Sequence, residues 1–207
     1  MYMPPAFNDQ DRDSLHATIR AARLANLVTA TSEGPQVTPL PLLLDPDEGE
    51  HGTLYGHLAR GNPQWRMPVL GEAVAVFMGP DAYITPSWYE TKRDTGKVVP
   101  TWNYVTVHAH GPAEFFDDAE RLLAAVTRLT RLHEGERTSP WEVSDAPADY
   151  IAAQLRGIVG LRMPITRIEG KRKMSQNRSE ADRRGVAAGL AASSRPEEQL
   201  AASMIPT

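Results

Sequence analysis

Residues 56–65 read Gly-His-Leu-Ala-Arg-Gly-Asn-Pro-Gln-Trp and place His57, Arg60 and Asn62 within one short turn. A guanidinium fork, neighbouring side-chain donors and exposed backbone N–H groups together form the chemistry that recognises phosphate. Gly61 would let the main chain approach a ligand closely. The same composition also suits a solvated surface loop, and composition alone leaves both readings open.

Two further stretches carry similar potential. Residues 81–89 and 99–104 are clusters of aromatic and polar residues, the second containing Trp102, Asn103 and Tyr104. Trp and Tyr offer planar apolar faces with a polar handle, which suits stacking on a planar ligand, a wet interface or the rim of a barrel. Residues 169–178 read Glu-Gly-Lys-Arg-Lys-Met-Ser-Gln-Asn-Arg. If this segment is extended, strand alternation puts Lys171 and Lys173 on one face beside Ser175, a cradle for an anion, although a charge run is more often solvated. His108 and His110 are also spaced to share a strand face. With no acidic residue or cysteine near them in sequence, cross-strand hydrogen bonding is the better reading than a metal site.

Short β-prone segments supply the elements that must hold these residues. Strands are expected at 27–31, 36–44, 53–57, 74–78, 82–85, 104–110 and 158–168, with Pro164 marking an edge or bulge in the last. Helices are expected from Asn8 to about residue 25, over 120–133 behind Asp117 and Asp118, and over 147–155. Residues 90–97 read as a polar loop. Six or seven hairpin-spaced strands with two or three helices predict a mainly β, α+β fold: a closed antiparallel barrel with peripheral helices. One domain is expected over 1–190, followed by a frayed or loosely helical tail over 191–207.

Composition narrows the function. The 207 residues are 41% hydrophobic and 23% charged, with no cysteine, which excludes disulfides, thiolate catalysis and Fe–S clusters. Net charge is −4, but residues 167–184 carry +4 on an otherwise acidic chain. An acidic body argues against strong direct binding to DNA, and no helix-turn-helix is legible. No G-x-G-x-x-G, P-loop, H-E-x-x-H or G-x-S-x-G motif occurs. No apolar run approaches the ~20 residues of a spanning helix, and the N-terminus has no basic-then-apolar leader, so a cytoplasmic protein without membrane contact is expected.

The segments 1–7, 56–65, 79–89, 99–104 and 169–178 (MYMPPAF, GHLARGNPQW, GPDAYITPSWY, VPTWNY and EGKRKMSQNR) together resemble the PaiB-type family of FMN-binding negative transcriptional regulators. The resemblance covers residues 1 to about 190, with Gly61 where that family more usually has Ala. It implies an FMN-binding split barrel, homodimeric, with flavin in clefts between subunits. His57, Arg60 and Asn62 would then hold the FMN phosphate, and Thr38, Pro39 and Leu40 would pass the isoalloxazine ring. Trp102, Asn103 and Tyr104, with Lys171, Lys173 and Gln176, would complete the site, partly from the second subunit. The implied role is a flavin-binding regulator or repressor, with regulation through a partner or metabolite. Two alternatives remain: an FMN-dependent oxidoreductase taking hydride from a nicotinamide, with no residue marked as acid or base, and a haem site using His57, His108 or His110.

Overall fold

The computed structural model describes residues 1–206. In chain order the elements are β1 (Asn8–Asp9), α1 (Arg12–Ala22), β2 (Leu24–Thr31), β3 (Gly34–Pro41), β4 (Leu43–Asp45), β5 (Thr53–Ala59), β6 (Ala73–Ile84), α2 (Thr91–Thr95), β7 (Thr101–Gly111), β8 (Glu114–Phe116), α3 (Ala119–Glu134), α4 (Ala148–Arg156), β9 (Ile158–Pro164), β10 (Arg167–Lys173), α5 (Glu180–Ala191) and α6 (Pro196–Ser203). The chain forms two compact units, and α1, β6, β7 and β10 each run from one into the other.

The first unit comprises residues 19–77 and 108–168. Its β2–β3 hairpin turns at Gly34, whose φ of 105° favours glycine, and pairs Thr31 with Gly34 through to Leu24 with Pro41. The start of β6 pairs with β2, Ala25 lying opposite Phe77. A second sheet runs β4-β5-β9-β8, all antiparallel. Helix α3 packs on β5 and β9. It starts because Asp118 caps it, accepting from the Arg121 N–H at 2.9 Å, and it buries Leu122, Ala125 and Leu129 at helical spacing.

The second unit comprises residues 1–18, 78–107 and 169 onward. Its strands follow the order β1-β10-β7-β6. Asn8 lies opposite Lys171 and Asp9 opposite Gly170. Gly170 lets Leu15 and β1 approach closely, since a Cβ would fall 1.9 Å from Leu15 Cδ2 and 3.0 Å from the Asp9 carbonyl oxygen. Helices α5 and α6 close the unit over a cluster of Ile84, Tyr89, Val186, Leu190, Ala201 and Ile205.

The structure revises several expected boundaries. The segments 74–78 and 82–85 are one strand, β6. Its buried positions switch from odd (Ala73, Ala75, Phe77) to even (Ala82, Ile84) across Gly79 and Pro80, so the alternation looked like two strands. The segment 158–168 breaks after Pro164 into β9 and β10, which join different sheets. The loop at 90–97 contains the short helix α2, and β8 is a strand that the sequence left unassigned. The tail expected to be frayed or loosely helical contains α6, with Ala201 and Ala202 buried. Alanines give little periodic hydrophobic signal, yet their small size lets α6 pack closely on α5.

Helix α5 supplies a stability test. Trp88 lies on its Gly185–Gly189 face, where a Cβ on Gly185 would fall 2.0 Å from the Trp88 carbonyl oxygen. In an open helix, Gly→Ala stabilises by about 1 kcal/mol. Here Gly185→Ala is expected to destabilise by about 1–3 kcal/mol through overpacking. A thermal melt should show a lower Tm than wild type, and a rise would refute the contact.

Candidate functional site

In the first unit, a buried polar network links the hairpin to the turn after β5. Thr38 donates to Gln64 Oε1 at 2.5 Å and accepts from Asn62 Nδ2 at 2.8 Å. Asn62 caps the one-turn helix Pro63–Arg66, its Oδ1 accepting from the Gln64 N–H at 2.9 Å. The Gln64 amide nitrogen in turn donates to Thr29 Oγ1 at 3.0 Å and to the Leu27 carbonyl at 3.3 Å. Gln64 is 1% exposed and its bonds to Thr29 and Leu27 are shielded from water, while those involving Thr38 and Asn62 are half-buried. Next to Thr38 on β3, Pro39 is exposed and Leu40 is buried. The structure thus brings Thr38 and Asn62 together. Gln64, which organises them, was missed; its only sequence signal was its place directly after Asn62 and Pro63.

Arg60 and His57 diverge from that network. The Arg60 guanidinium donates to the main-chain carbonyls of Arg156 at 2.8 Å and Ile158 at 3.1 Å, and lies 3.5 Å from Asp117. Its fork thereby clasps the junction of α4 and β9. Arg60→Ala is expected to lower Tm by about 2–6 °C, since releasing two carbonyl bonds costs about 1–2 kcal/mol. FMN affinity should stay within about threefold, a change of under ~0.7 kcal/mol. A melt and a fluorescence titration on one sample check both halves. His57 shares its β5 face with Tyr55, opposite Gly56 and Leu58, and points toward α3 and α4. Its Nδ1 is buried with no hydrogen-bond partner, and burial holds its pKa below the ordinary histidine value.

In the second unit, β7 and β10 bring the remaining candidates together. Lys171 is 8% exposed and donates to the Tyr2 carbonyl at 3.2 Å, with the rings of Tyr2 and Tyr104 at 5.5 and 5.4 Å. Lys173 donates to Thr101 Oγ1 at 2.5 Å and to the Trp102 carbonyl at 2.8 Å. Burial lowers the Lys173 pKa, Tyr104 partly offsets this, and the nearby Lys171 and Arg178 charges lower it further. Among the described residues, neither lysine pairs with a carboxylate. Each retains N–H donors, so the pair is a concentration of positive charge suited to an anion.

The other residues of this unit fall into two groups. Asn103 is buried in a reciprocal hydrogen bond with Ser175, at 3.0 and 3.1 Å, and Ser175 adopts φ 61°. Gln176 folds back on its own turn, accepting from the Met174 N–H at 2.6 Å and donating to the Arg172 carbonyl. These three hold the β10 exit in shape. Trp102, 52% exposed, meets Tyr83 edge-on at 5.9 Å and offers an open aromatic surface. In the first unit, the His108 and His110 rings lie 6.4 Å apart, and the Arg167 guanidinium is 3.0 Å from His110 Nδ1. Arginine only donates, so that nitrogen is the acceptor.

Residues 1–167 match the model of the family described as "Putative FMN-binding domain". The chain belongs to this FMN-binding family. It is 31% identical over 206 residues to protease synthase and sporulation protein PAI 2 of Bacillus subtilis, covering 99% of this chain and 96% of that protein. Its fold resembles that of an FAD and heme binding protein from Mycobacterium smegmatis (TM-score 0.58, 17% identity, 80% of this chain and 73% of the other). It also resembles that of the flavocytochrome Anf3 from Azotobacter vinelandii (TM-score 0.57, 15% identity, 80% and 69%). The fold is the antiparallel split barrel with peripheral helices, as the strand pattern and resemblance implied, and the chain is a PaiB-like flavoprotein whose cofactor is FMN. No helix among the described residues is long and apolar enough to cross a membrane.

The donors fit this cofactor. FMN presents a phosphate dianion, a polyol and a planar ring. Within the second unit, the lysine pair suits the first and the exposed Trp102 face suits the last. Lys171 and Lys173 lie just beyond the matched residues, so their assignment rests on geometry.

Proposed function

We propose that this protein is an FMN-binding regulator, acting as a homodimer, whose Lys171–Lys173 pair holds the FMN phosphate and whose output passes to a partner or metabolite rather than directly to DNA. The observation that carries the last part is the commitment of the basic segment. Arg172 lies 3.5 Å from Asp9 and donates to Ser14 at 3.0 Å. Arg183 donates to the carbonyls of Pro206 and Arg178, and Arg184 pairs with Glu180. Lys171 is buried. A cationic run that looks free in the sequence is therefore largely held within its own unit, leaving few charges to neutralise DNA phosphates.

In this reading the lysines bind and orient the cofactor, and FMN when bound supplies a ring that can accept and return electrons. The resemblance implies that Thr38, Pro39 and Leu40 on β3 would pass the isoalloxazine ring, with part of the site supplied by the second subunit. The exposed Tyr83–Trp102 pair supports self-association, because such aromatics are enriched at interfaces.

Three measurements on FMN-loaded protein test the reading. Light scattering should give about twice 22.8 kDa. Mobility shifts with duplex DNA should show only weak, sequence-independent binding with a shallow salt slope. Incubation with NADH should leave the flavin spectrum unchanged on the timescale of turnover. Site-specific DNA binding at physiological salt would overturn the indirect mode of regulation. Steady NADH oxidation would favour the oxidoreductase, and a Soret band in purified protein would favour haem.

A further inference from the structure

His57 opens onto a cavity of about 220 Å³ between β5 and the α3–α4 region. Apart from His57 and Gln154 its walls are apolar: Val126, Val143, Ile151, Leu155 and Ile158, with Trp141 and Tyr150 at the rim. An adjoining space of about 320 Å³ shares His57, Val126 and Trp141 as common walls. No lysine or arginine lines either one among the described residues. Glu134, at the outer end of the second, is already paired with Arg137 at 3.0 Å and accepts from the Trp141 N–H at 3.3 Å.

The one buried polar atom without a partner here is His57 Nδ1. Leaving such a group unsatisfied costs about 1–3 kcal/mol, so an unpaired nitrogen in a roomy apolar cavity marks a place for a ligand atom. We infer that this cavity is a second binding site, for a small neutral aromatic molecule bearing one hydroxyl, distinct from the flavin site.

Each part of that description follows from the walls. A cavity of about 150 Å³ lined by aliphatic residues already holds benzene, so this one admits a one- or two-ring compound. The aromatic rim favours a planar ring. With no lysine or arginine, and His133 of the adjoining space next to Glu134, the walls disfavour a phosphate or carboxylate and so disfavour FMN. A hydroxyl both donates and accepts, so it satisfies Nδ1 in either neutral tautomer.

The test uses 2-naphthol against 2-methylnaphthalene, an isostere without the hydroxyl. The first is followed by its own fluorescence and the second by competition, with the FMN-loaded protein. Wild type should bind 2-naphthol saturably and about tenfold more tightly, the worth of one buried hydrogen bond. His57→Leu should erase the preference and retain 2-methylnaphthalene binding. Val126→Trp, which fills the shared wall, should abolish both while FMN titration stays normal. Thermal melts identify any variant that fails to fold, in which case His57→Phe and Tyr150→Ala replace it. The inference is overturned if 2-naphthol does not saturate, if the preference survives loss of His57, or if added FMN displaces the naphthol. Displacement would mean that the cavity belongs to the flavin site, whereas failure of FMN to bind at all would strike the functional reading and leave this site intact.

Discussion

Lys173→Ala is expected to weaken FMN binding by about 10- to 100-fold, because a hydrogen bond to a charged group contributes about 1.5–3 kcal/mol. The side chain is already oriented, its Nζ held by Thr101 Oγ1 and the Trp102 carbonyl, so little entropy is lost when the phosphate arrives. Lys173→Arg should recover part of the loss, since the charge survives but the anchoring geometry does not. Fluorescence titration measures both variants. An unchanged affinity in Lys173→Ala would move the phosphate elsewhere.

The same residue gives a pH signature. Its folded pKa lies below the ordinary lysine value, so the unfolded chain holds the proton more tightly. Without FMN, stability should therefore rise with pH between the depressed folded value and the ordinary one. A bound phosphate favours the charged amine and should flatten that rise. Denaturant midpoints across alkaline pH, with and without FMN, measure the difference.

Gln64→Leu is expected to produce the largest loss of stability, about 3–5 kcal/mol. The volume is nearly conserved, so a cavity is not the cause. The loss comes from removing the partner of buried Thr29 and of the Leu27 carbonyl, and of half-buried Thr38, at a residue that is itself 1% exposed. At about 2–4 °C per kcal/mol for a chain of this size, Tm should fall by about 10 °C. A fall of under about 2 °C would show that water replaces these bonds. Asn62→Ala should cost less, about 1 kcal/mol, as the loss of a helix cap.

What the sequence could and could not reveal follows the reach of each interaction. Strand alternation correctly placed Lys171 and Lys173 on one face, because that pattern is local. Alternation also separates His57 from Leu58 and Gly56, but closeness in sequence grouped His57 with Arg60 and Asn62, and the structure turns it toward the α3–α4 cavity. The partners that Arg60 takes in this structure, the carbonyls of Arg156 and Ile158, lie 96 and 98 residues away and leave no local signal. The same distance effect hid Gln64, whose partners sit on β2 and β3, and the pairing of Arg172 with Asp9 and Ser14. Tail packing escaped notice because alanines bury well on a close-fitting helix without announcing a stripe.

The central claim is that a lysine pair, rather than the Arg60 turn, recognises the phosphate. Riboflavin lacks only that phosphate, so titrating FMN and riboflavin in parallel isolates it. Wild type should prefer FMN by about tenfold or more, the worth of at least one charged contact. A Lys171→Met, Lys173→Met double variant should bind the two equally. A double variant that keeps the preference for FMN, while Arg60→Ala loses it, would contradict the account.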